Sequence, residues 1–375
     1  MHLPTPAGAR RRSPYSLFGL LAALLFVGCQ DAPGPTPPTR PSDLQQSDDG
    51  KLVTVMTRNL YVGTTYGPLL SGSVSIPEGV RLALADIDAT NFPERAEALA
   101  NEIAAHDPAL VGVQEAALIR FQQPGDNLTS TPTPATQARY DYLALLLKAL
   151  ADRGRKYTAV AVIQNFDLEL PSFTFDARVT DRDVILARSD VMITAAESHR
   201  FAATCVLPLT GVPGGIPLYH GWVAVNAKIS GQELRFVSTH LDGDCLAVTS
   251  AIQVAQMNEL LNALAKRPTP TVLVGDLNSR HDGSTTPSYA NALAAGFADA
   301  WDAANPADPG LTYGHAPDLR NPAPLPTQRI DYILTRGRWS VENATIVGTD
   351  PANRTPSGLW PSDHFGMVAT LRWDD

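Results

Sequence analysis

Short runs of apolar and β-branched residues recur along the chain from residue 51, and nearly every run ends in polar residues. Such runs predict β-strands, half-buried where they alternate and fully buried where they are continuous. The runs read KLVTVMTRNL, ALVGVQEA, YTAVAVIQ, DVILAR, GWVAVNAKI, ELRFVSTHL, TVLVGDLNS, RIDYILTR and HFGMVATLRW. The pair Ser230-Gly231 separates GWVAVNAKI from ELRFVSTHL and predicts a hairpin between them.

Apolar residues at helical spacing predict helices between the strands. One begins at Asn91, where asparagine precedes Pro93 and Glu94 as in a capping box, and the others cover Ala138 to Arg153 and Thr249 to Leu264. Strands in two runs, covered by a few amphipathic helices, predict an α+β fold with two packed sheets over residues 51–375. A doubly wound parallel sheet is the alternative, but the hairpins and the lack of a glycine-rich strand-to-helix turn disfavour it.

The run TVLVGDLNS, from Thr271 to Ser279, carries the most distinctive polar residues. Strand alternation places Asp276 and Asn278 on one side of the backbone, while Leu277 points into the core. A carboxylate and an amide side by side at a strand end can position a water molecule beside a bound cation. The alternative is an ordinary turn, because Gly-Asp and Asn-Ser are common turn formers.

The amino terminus has the parts of an export signal. Arg10, Arg11 and Arg12 precede an apolar run from Leu17 to Val27 that is too short to span a bilayer. The run ends at Gly28-Cys29, which resembles the lipobox of bacterial lipoproteins. Residues 1–29 are therefore predicted to be a lipoprotein-type signal with lipidation at Cys29, and Gln30 after it favours the outer membrane or cell surface. Simple secretion or a free Cys29 are the alternatives.

Composition, net charge and cysteine content give three further predictions. Residues 30–50, rich in Pro, Asp, Ser and Gln, predict a disordered tether before a catalytic domain over residues 51–375. The net charge of -9 becomes -12 (-9 minus 3) without the three amino-terminal arginines, which argues against nonspecific binding of long polyanions. In an oxidising compartment Cys205 and Cys245 are expected to form a disulfide, and two buried thiols are the alternative.

Eight polar residues lie at or just past the predicted strand ends. Each alone has a structural explanation, such as a solvated strand end or a hydrogen-bonded core histidine. Together they supply oxygen ligands for a hard divalent cation and histidines for proton transfer, which suits metal-assisted attack of water on a phosphoester. The eight are Asn59, Glu115, His240, Asp276, Asn278, Asp331, Asp363 and His364.

The motifs that carry these residues resemble, in order, those of the endonuclease/exonuclease/phosphatase superfamily, or deoxyribonuclease I-like proteins. They are TRNL, VGVQEA, STHLD, VGDLNS, RIDYIL and PSDHFGMVATL. The resemblance covers the chain from Lys51 to its carboxyl terminus. It implies a four-layer α/β/β/α sandwich, a Mg2+ cofactor (or Mn2+ or Ca2+) and hydrolysis of a phosphodiester or phosphomonoester by water.

The resemblance also implies roles for the residues. Glu115 is expected to be the principal metal ligand, supported by Asn59 and Asp363. Asp276 would orient or deprotonate the attacking water, and His364, polarised by Asp331, would be the base or stabilise the transition state. Contacts to the phosphate are expected from Asn278, His240 and Arg188, which stands where family members often carry an arginine.

The sequence leaves the substrate open. Nucleic acid, a phospholipid or sphingomyelin head group and a small phosphate ester all suit the reaction. The sequence shows no Lys/Arg cluster of the kind that binds a nucleic-acid backbone, which disfavours nucleic acid. The segment from Tyr61 to Thr90 is longer than a minimal family member needs. A monomer is expected. The alternative function is a surface-tethered binding lipoprotein that keeps the fold without activity.

Overall fold

Two large β-sheets face each other, and apolar side chains fill the space between them. The computed structural model describes residues 51–374, apart from residues 128, 130, 210, 211, 213 and 244–248, and all described residues belong to one compact unit. The predicted signal, Cys29, the tether and Cys245 lie outside the described residues, so those predictions stay predictions. Cys205 is buried and forms a disulfide bond.

The first sheet has eight strands. They are β1 (Leu52–Asn59), β2 (Leu110–Gln114), β3 (Leu118–Gln122), β4 (Gln137–Asp141), β5 (Tyr157–Pro171), β6 (Asp176–Arg188), β15 (Trp339–Val347) and β16 (Gly366–Trp373). Their order in the sheet is β15-β16-β1-β2-β6-β3-β4, with β5 also paired to β6, and β1 and β2 run parallel.

The second sheet has six strands: β7 (Met192–Arg200), β10 (Gly221–Ile229), β11 (Gln232–His240), β12 (Thr271–Asp276), β13 (Ala298–Asp299) and β14 (Asp331–Arg336). Their order in the sheet is β13-β14-β12-β11-β10-β7, and the central strands β11 and β12 are parallel. A separate two-stranded sheet is formed by β8 (Cys205–Leu207) and β9 (Ile216–Leu218).

Helices cover the outer faces of the sheets. They are α1 (Gly67–Leu70), α2 (Ile76–Ala89), α3 (Phe92–His106), α4 (Tyr142–Asp152), α5 (Thr249–Ala265), α6 (Ser288–Ala294) and α7 (Ala300–Ala304). One 3-10 turn follows at Pro351–Asn353. In the described part of the chain, no helix is long and apolar enough to cross a membrane. Two sheets between helical layers confirm the predicted α+β sandwich.

The two sheets are in tight contact at Gly112, in the middle of β2. A Cβ atom there would lie 2.4 Å from the Val274 side chain, so only glycine permits this approach of β2 to β12. Two residues further along β2, Gln114 donates a hydrogen bond to Ser238 Oγ of the opposite sheet at 3.0 Å. This buried bond joins the sheets just before the strand ends, where the predicted site residues lie.

Local predictions differ from the structure in three places. The helix after Asn91 is confirmed, but Asn91 has a φ of 40° and makes no side-chain cap, and Glu94 instead accepts hydrogen bonds from Ser357. The helix predicted from Ala138 begins only at Tyr142, because residues 137–141 pair with β3 as β4. The two strands predicted on either side of Phe166 and Phe175 form one long hairpin, β5 and β6.

Candidate active site

The predicted residues meet at one edge of the sandwich because of strand direction. Parallel β1 and β2 bring Asn59 and Glu115 to this edge, and parallel β11 and β12 bring His240 and Asp276. The antiparallel strands β14 and β16 supply residues from their beginnings: Asp331 opens β14 opposite Asp276, and His364 lies two residues before β16.

Asp276 lies at the centre of the cluster. Its Oδ2 accepts a hydrogen bond from Asn59 Nδ2 at 3.2 Å and lies 3.6 Å from His240 Nε2 and 3.7 Å from His364 Nε2. The other oxygen, Oδ1, accepts a bond from the backbone N–H of Asn278 at 2.8 Å. The carboxylate is therefore fixed in orientation, with one oxygen facing both histidines.

His364 and Asp331 form an oriented pair. His364 Nδ1 lies 2.9 Å from Asp331 Oδ2, and because a carboxylate only accepts, the proton is on Nδ1. Arg58, which pairs with the buried Glu102, donates a bond to the His364 carbonyl at 2.6 Å. The ring edge also contacts Tyr313. These contacts leave Nε2 pointing toward Asp276 and the polar pocket.

Glu115 is held by two donors. Asn59 Nδ2 bonds its Oε1 at 2.9 Å, and the backbone N–H of Val62 bonds its Oε2 at 2.8 Å. The amide oxygen of Asn59 in turn accepts from the backbone N–H of Tyr61 at 2.9 Å, which fixes the amide orientation. Asn59, predicted as a metal ligand, therefore orients Glu115 and Asp276 with its nitrogen in this arrangement, and its oxygen is turned away from them.

Glu115 and Asp363 fit a divalent cation. Both line a polar pocket of about 230 Å³ together with His240, Asp276, Asn278 and His364. Asp363 is 8% exposed and accepts one long bond, from Ser362 Oγ at 3.4 Å. Burial raises the pKa of Asp363 to about 7, with His364 acting in the opposite direction. A buried carboxylate with so few donors suits a hard cation, for which oxygen is the preferred ligand.

Asn278 and His240 form the opposite wall of the pocket. Asn278 has a φ of 48°, and its Nδ2 donates to the Leu241 carbonyl at 2.9 Å and lies 3.2 Å from His240 Nε2. When the His240 ring is neutral its Nε2 accepts from Asn278, and when the ring is charged its Nε2 donates toward Asp276. The contacts to phosphate oxygens that the resemblance implies for these two residues stay a prediction.

Two acidic residues that the sequence analysis missed lie behind His240. Asp181 and Asp183, on alternate positions of β6, both accept bonds from Asn165 Nδ2, at 2.8 and 2.9 Å. They and His240 form one of two groups of three, among the described residues, whose ligand atoms lie within 4.8 Å of one another and could hold a metal ion. Asp276, Asp331 and His364 form the other group, and Glu115 and Asp363 belong to neither. The sequence signal that could have found them is the alternation Asp-Arg-Asp at residues 181–183, which places both carboxylates on one face of a strand.

The acidic surroundings change the pKa of both histidines. Burial alone would lower the pKa of His240, but Asp276, Asp183 and Glu115 raise it to about 9. Burial also opposes the charged form of His364, and Asp331, Asp363 and Asp276 raise its pKa to about 10. The carboxylate cluster therefore favours positive charge at this edge of the sandwich, as expected for a site that binds cations and a phosphate together.

Arg188 does not reach this site. It ends β6 at the opposite edge of the sheet, where β2 begins, and its side chain pairs with Asp107 and Asp190. The prediction that Arg188 binds substrate is therefore not supported by its position, because β6 is antiparallel to β2 and presents its middle, not its end, to Glu115. His315 is also structural: it is buried, its Nε2–H donates to the Gly348 carbonyl at 3.1 Å, and its ring stacks on Trp360.

Arg95 holds together the loops that carry the site. Its guanidinium is fully buried and donates to four backbone carbonyls, those of Leu60, Tyr61, Thr90 and Pro361, at 2.6 to 3.0 Å. Tyr61 follows Asn59, and Pro361 precedes Asp363. One side chain therefore connects the loop after β1 to the loop before β16.

Replacing Arg95 by methionine is expected to lower the free energy of unfolding by about 3 kcal/mol or more, because four buried carbonyls lose their donors. Urea titration measures the change. Arg139→Met is the matched control, because Arg139 pairs with Asp88 at the surface and its loss should cost about 1 kcal/mol or less. Equal losses for the two variants would contradict the role given to Arg95.

The fold has relatives among solved structures. An endonuclease/exonuclease/phosphatase from Beutenbergia cavernae is 22% identical, with a TM-score of 0.52, covering 86% of this chain and 72% of that one. A family protein from Bacteroides thetaiotaomicron is 16% identical, with a TM-score of 0.54 and coverage of 86% and 98%. One from Leptotrichia buccalis is 17% identical, with a TM-score of 0.52 and coverage of 86% and 100%. At these identities the likeness shows the fold alone.

No curated protein matches the sequence. The sequence profile of the Endonuclease/Exonuclease/phosphatase family, however, matches residues 70–364. The match spans most of the chain and contains Glu115, His240, Asp276, Asp331 and His364, whereas Asn59 precedes it. With the sandwich fold and the cluster at its edge, this match shows that the chain belongs to the endonuclease/exonuclease/phosphatase family.

Proposed function

We propose that the protein is a divalent-metal-dependent hydrolase of phosphoesters, in which water attacks phosphorus at the pocket bounded by Glu115 and Asn278. One observation carries the proposal: Asp276 Oδ2 lies within 3.7 Å of the Nε2 atoms of both His240 and His364. The second of these rings is oriented by Asp331. A carboxylate between two histidines, with Glu115 beside it, supplies all groups that metal-assisted hydrolysis needs.

The cation would be held by Glu115 and Asp363, with Asn59 orienting Glu115. When bound, a divalent cation supplies Lewis acidity, drawing electron density from a phosphate oxygen. Mg2+ suits the carboxylate oxygens, and Mn2+ and Ca2+ have the same ligand preference. A binding lipoprotein without activity would not need this complete set of oriented groups, and nothing in the structure supports that alternative.

The protein's own side chains divide the remaining tasks by position. Asp276, held by Asn59 and the backbone of Asn278, is placed to orient the attacking water and accept its proton. His364 presents Nε2 to the pocket, because Asp331 holds Nδ1–H, and can stabilise charge that develops on phosphate oxygens. Asn278 and His240 contact the phosphate from the other wall.

Hydrolysis of bis(4-nitrophenyl) phosphate by the purified protein tests the reaction class. Release of 4-nitrophenolate is expected with Mg2+ or Mn2+, and chelation by EDTA should abolish it. Loss of the same activity in Asp276→Asn, with an unchanged melting temperature, would connect turnover to this pocket. A folded protein that cleaves neither this diester nor 4-nitrophenyl phosphate with any of the three metals would refute the proposal.

We also propose that the protein is exported and lipid-anchored at Cys29, in the outer membrane or at the cell surface. The support is the sequence pattern alone: basic residues, an apolar run and Gly28-Cys29. Cys29→Ser should move the protein from the membrane fraction to the soluble fraction in cells that process lipoproteins. Unchanged membrane association of this variant would remove the anchor from the proposal.

A further inference from the structure

A second cavity opens directly from the polar pocket. It has a volume of about 320 Å³, at the lower end of the range for small-molecule sites. Glu115, His240 and Asp363 line both this cavity and the polar pocket. A ligand with its phosphoester between these three residues would therefore extend one of its substituents into the cavity.

The walls of the cavity are mainly aliphatic. One side is the inner face of α2, with Val80, Ala83 and Ile87, and the other comes from the hairpin β5–β6 and the small sheet β8–β9. The acidic and imidazole side chains of the lining include Glu115, His240 and Asp363, the three residues that the cavity shares with the polar pocket. Among the described residues that line it there is no lysine or arginine. The hairpin contributes Leu168, Leu170 and Val179, and the small sheet contributes Leu207 and Leu218.

These walls favour an aliphatic chain over a nucleotide. Single-stranded nucleic acid is held by cationic side chains along its backbone and by aromatic rings stacked on its bases. Among the described residues that line the cavity, no lysine or arginine could follow such a backbone. The rings are those of Tyr61, Tyr66 and Phe166 and the imidazoles of His220 and His240, and His240 also lines the polar pocket. Aliphatic walls instead gain free energy from every methylene removed from water, and they leave no polar group of such a chain unsatisfied.

The elements around the cavity also expose apolar side chains. Leu70 of α1 is 40% exposed, Val206 of β8 is 50% exposed, and Phe173 in the β5–β6 turn is 65% exposed. Ser172, next to Phe173, bonds the Pro77 carbonyl of α2 at 3.1 Å, which attaches this turn to the helix that lines the cavity. Exposed apolar side chains on the elements that form the cavity suit a substrate that comes from an apolar surface.

We propose that this cavity binds the aliphatic chain of the substrate, so that the protein hydrolyses lipid-like phosphoesters. The inference rests on the proposed function and specifies its substrate class. The chemistry is unchanged: water adds across one P–O ester bond, its oxygen joins phosphorus, and the leaving oxygen receives a proton. A diester then yields an alcohol or phenol and a phosphomonoester.

Chain length is the variable that tests this. With methyl, butyl and octyl 4-nitrophenyl phosphates as monomers in solution, kcat/KM should rise by up to about fourfold per buried methylene, and by at least about tenfold from methyl to octyl. In Ala83→Phe, which fills the cavity from α2, the octyl-to-methyl ratio should approach one. Ala105→Phe is the matched control, because Ala105 is exposed on α3, and it should keep the wild-type ratio.

Binding of alkylphosphonates separates this proposal from the proposed function. Titration calorimetry of the wild-type protein with Mg2+ should show octylphosphonate binding at least about tenfold tighter than methylphosphonate, whether or not any ester is cleaved. Chain-length-dependent binding without hydrolysis would support the cavity and refute the proposed function. Hydrolysis with equal rates and equal affinities across the series would overturn the cavity proposal and leave the proposed function intact.

Two kinds of substrate, a lipid bilayer and soluble alkyl esters, distinguish the source from which the protein takes the aliphatic chain. If substrate is taken from a bilayer, phosphatidylcholine vesicles should be hydrolysed, and Phe173→Ser should lower that rate severalfold without changing the rate on butyl 4-nitrophenyl phosphate. Cleavage of the soluble esters with no cleavage of vesicles would identify a monomeric alkyl phosphoester as the source. Either result supports binding of the substrate's aliphatic chain in the cavity, provided that Ala83→Phe lowers the octyl-to-methyl ratio of kcat/KM.

Discussion

Replacing His364 by alanine is expected to lower kcat by about 10²- to 10⁴-fold, the range of a positioned proton-transfer or charge-stabilising group. The ring is the one whose Nε2 faces both Asp276 and the polar pocket, while Asp331 fixes its other nitrogen. Its removal leaves Asp276 and Glu115 in place. The measurement is steady-state hydrolysis of bis(4-nitrophenyl) phosphate with saturating Mg2+, together with thermal unfolding of the variant.

The matched control is His199→Ala. His199 is an exposed histidine on β7 that stacks on Trp222, so its removal should leave kcat within about twofold. If His364→Ala keeps a tenth or more of the wild-type kcat while it remains folded, then His364 does not act in the chemical step. Asp276 and His240 would then have to supply the proton transfer and the charge stabilisation between them.

Replacing Glu115 by glutamine is expected to weaken divalent-cation binding by about 100-fold or more. Loss of a contact that only orients a ligand already costs 10- to 100-fold in metal affinity, and Glu115 is proposed as the ligand itself. Glutamine keeps the size of the side chain, so the change removes charge without creating a cavity, and its single amide oxygen can still accept from one of the two donors, Asn59 or Val62.

Thermal unfolding measures this effect without any substrate. For the wild-type protein, Mg2+ at 100 times its dissociation constant should stabilise the fold by about 2.7 kcal/mol, which raises the melting temperature by several degrees. The same Mg2+ concentration should hardly shift Glu115→Gln. Glu97→Gln, at a surface pair with Arg153, should keep the full shift. A full shift in Glu115→Gln would place the cation elsewhere, with the group around Asp181 the next candidate.

Strand ends were predictable, but which end faces the site was not. Asn59, Glu115 and Asp276 lie at carboxyl ends of parallel strands, so polar residues after an apolar run located them. Asp331 opens an antiparallel strand, and only the resemblance to a family gave its role. Arg188 has the same sequence signal as Glu115, yet it lies at the far edge, because strand direction depends on pairing between distant segments.

The cavity was missed for a different reason. The segment from Tyr61 to Thr90 begins with glycine and polar residues, a pattern that predicts a long excursion between the first strand and the helix after Asn91. Its later part nevertheless has Ile76, Val80, Ala83 and Ile87 at helical spacing, and these residues form the inner face of α2. Helical periodicity was therefore readable there, but the opposite wall, from β5, β6, β8 and β9, depends on contacts that no local pattern encodes.

Strand order in the first sheet determines when the site can be assembled during synthesis. β16 lies between β15 and β1, and Leu52 near the start of β1 pairs with Arg372 near the end of β16. Ser362 Oγ bonds the Asn59 carbonyl across this boundary at 2.9 Å. A nascent chain therefore lacks Asp363, His364 and the neighbour strand of β1 until residues 363–373 have left the ribosome, and the polar pocket stays incomplete until then.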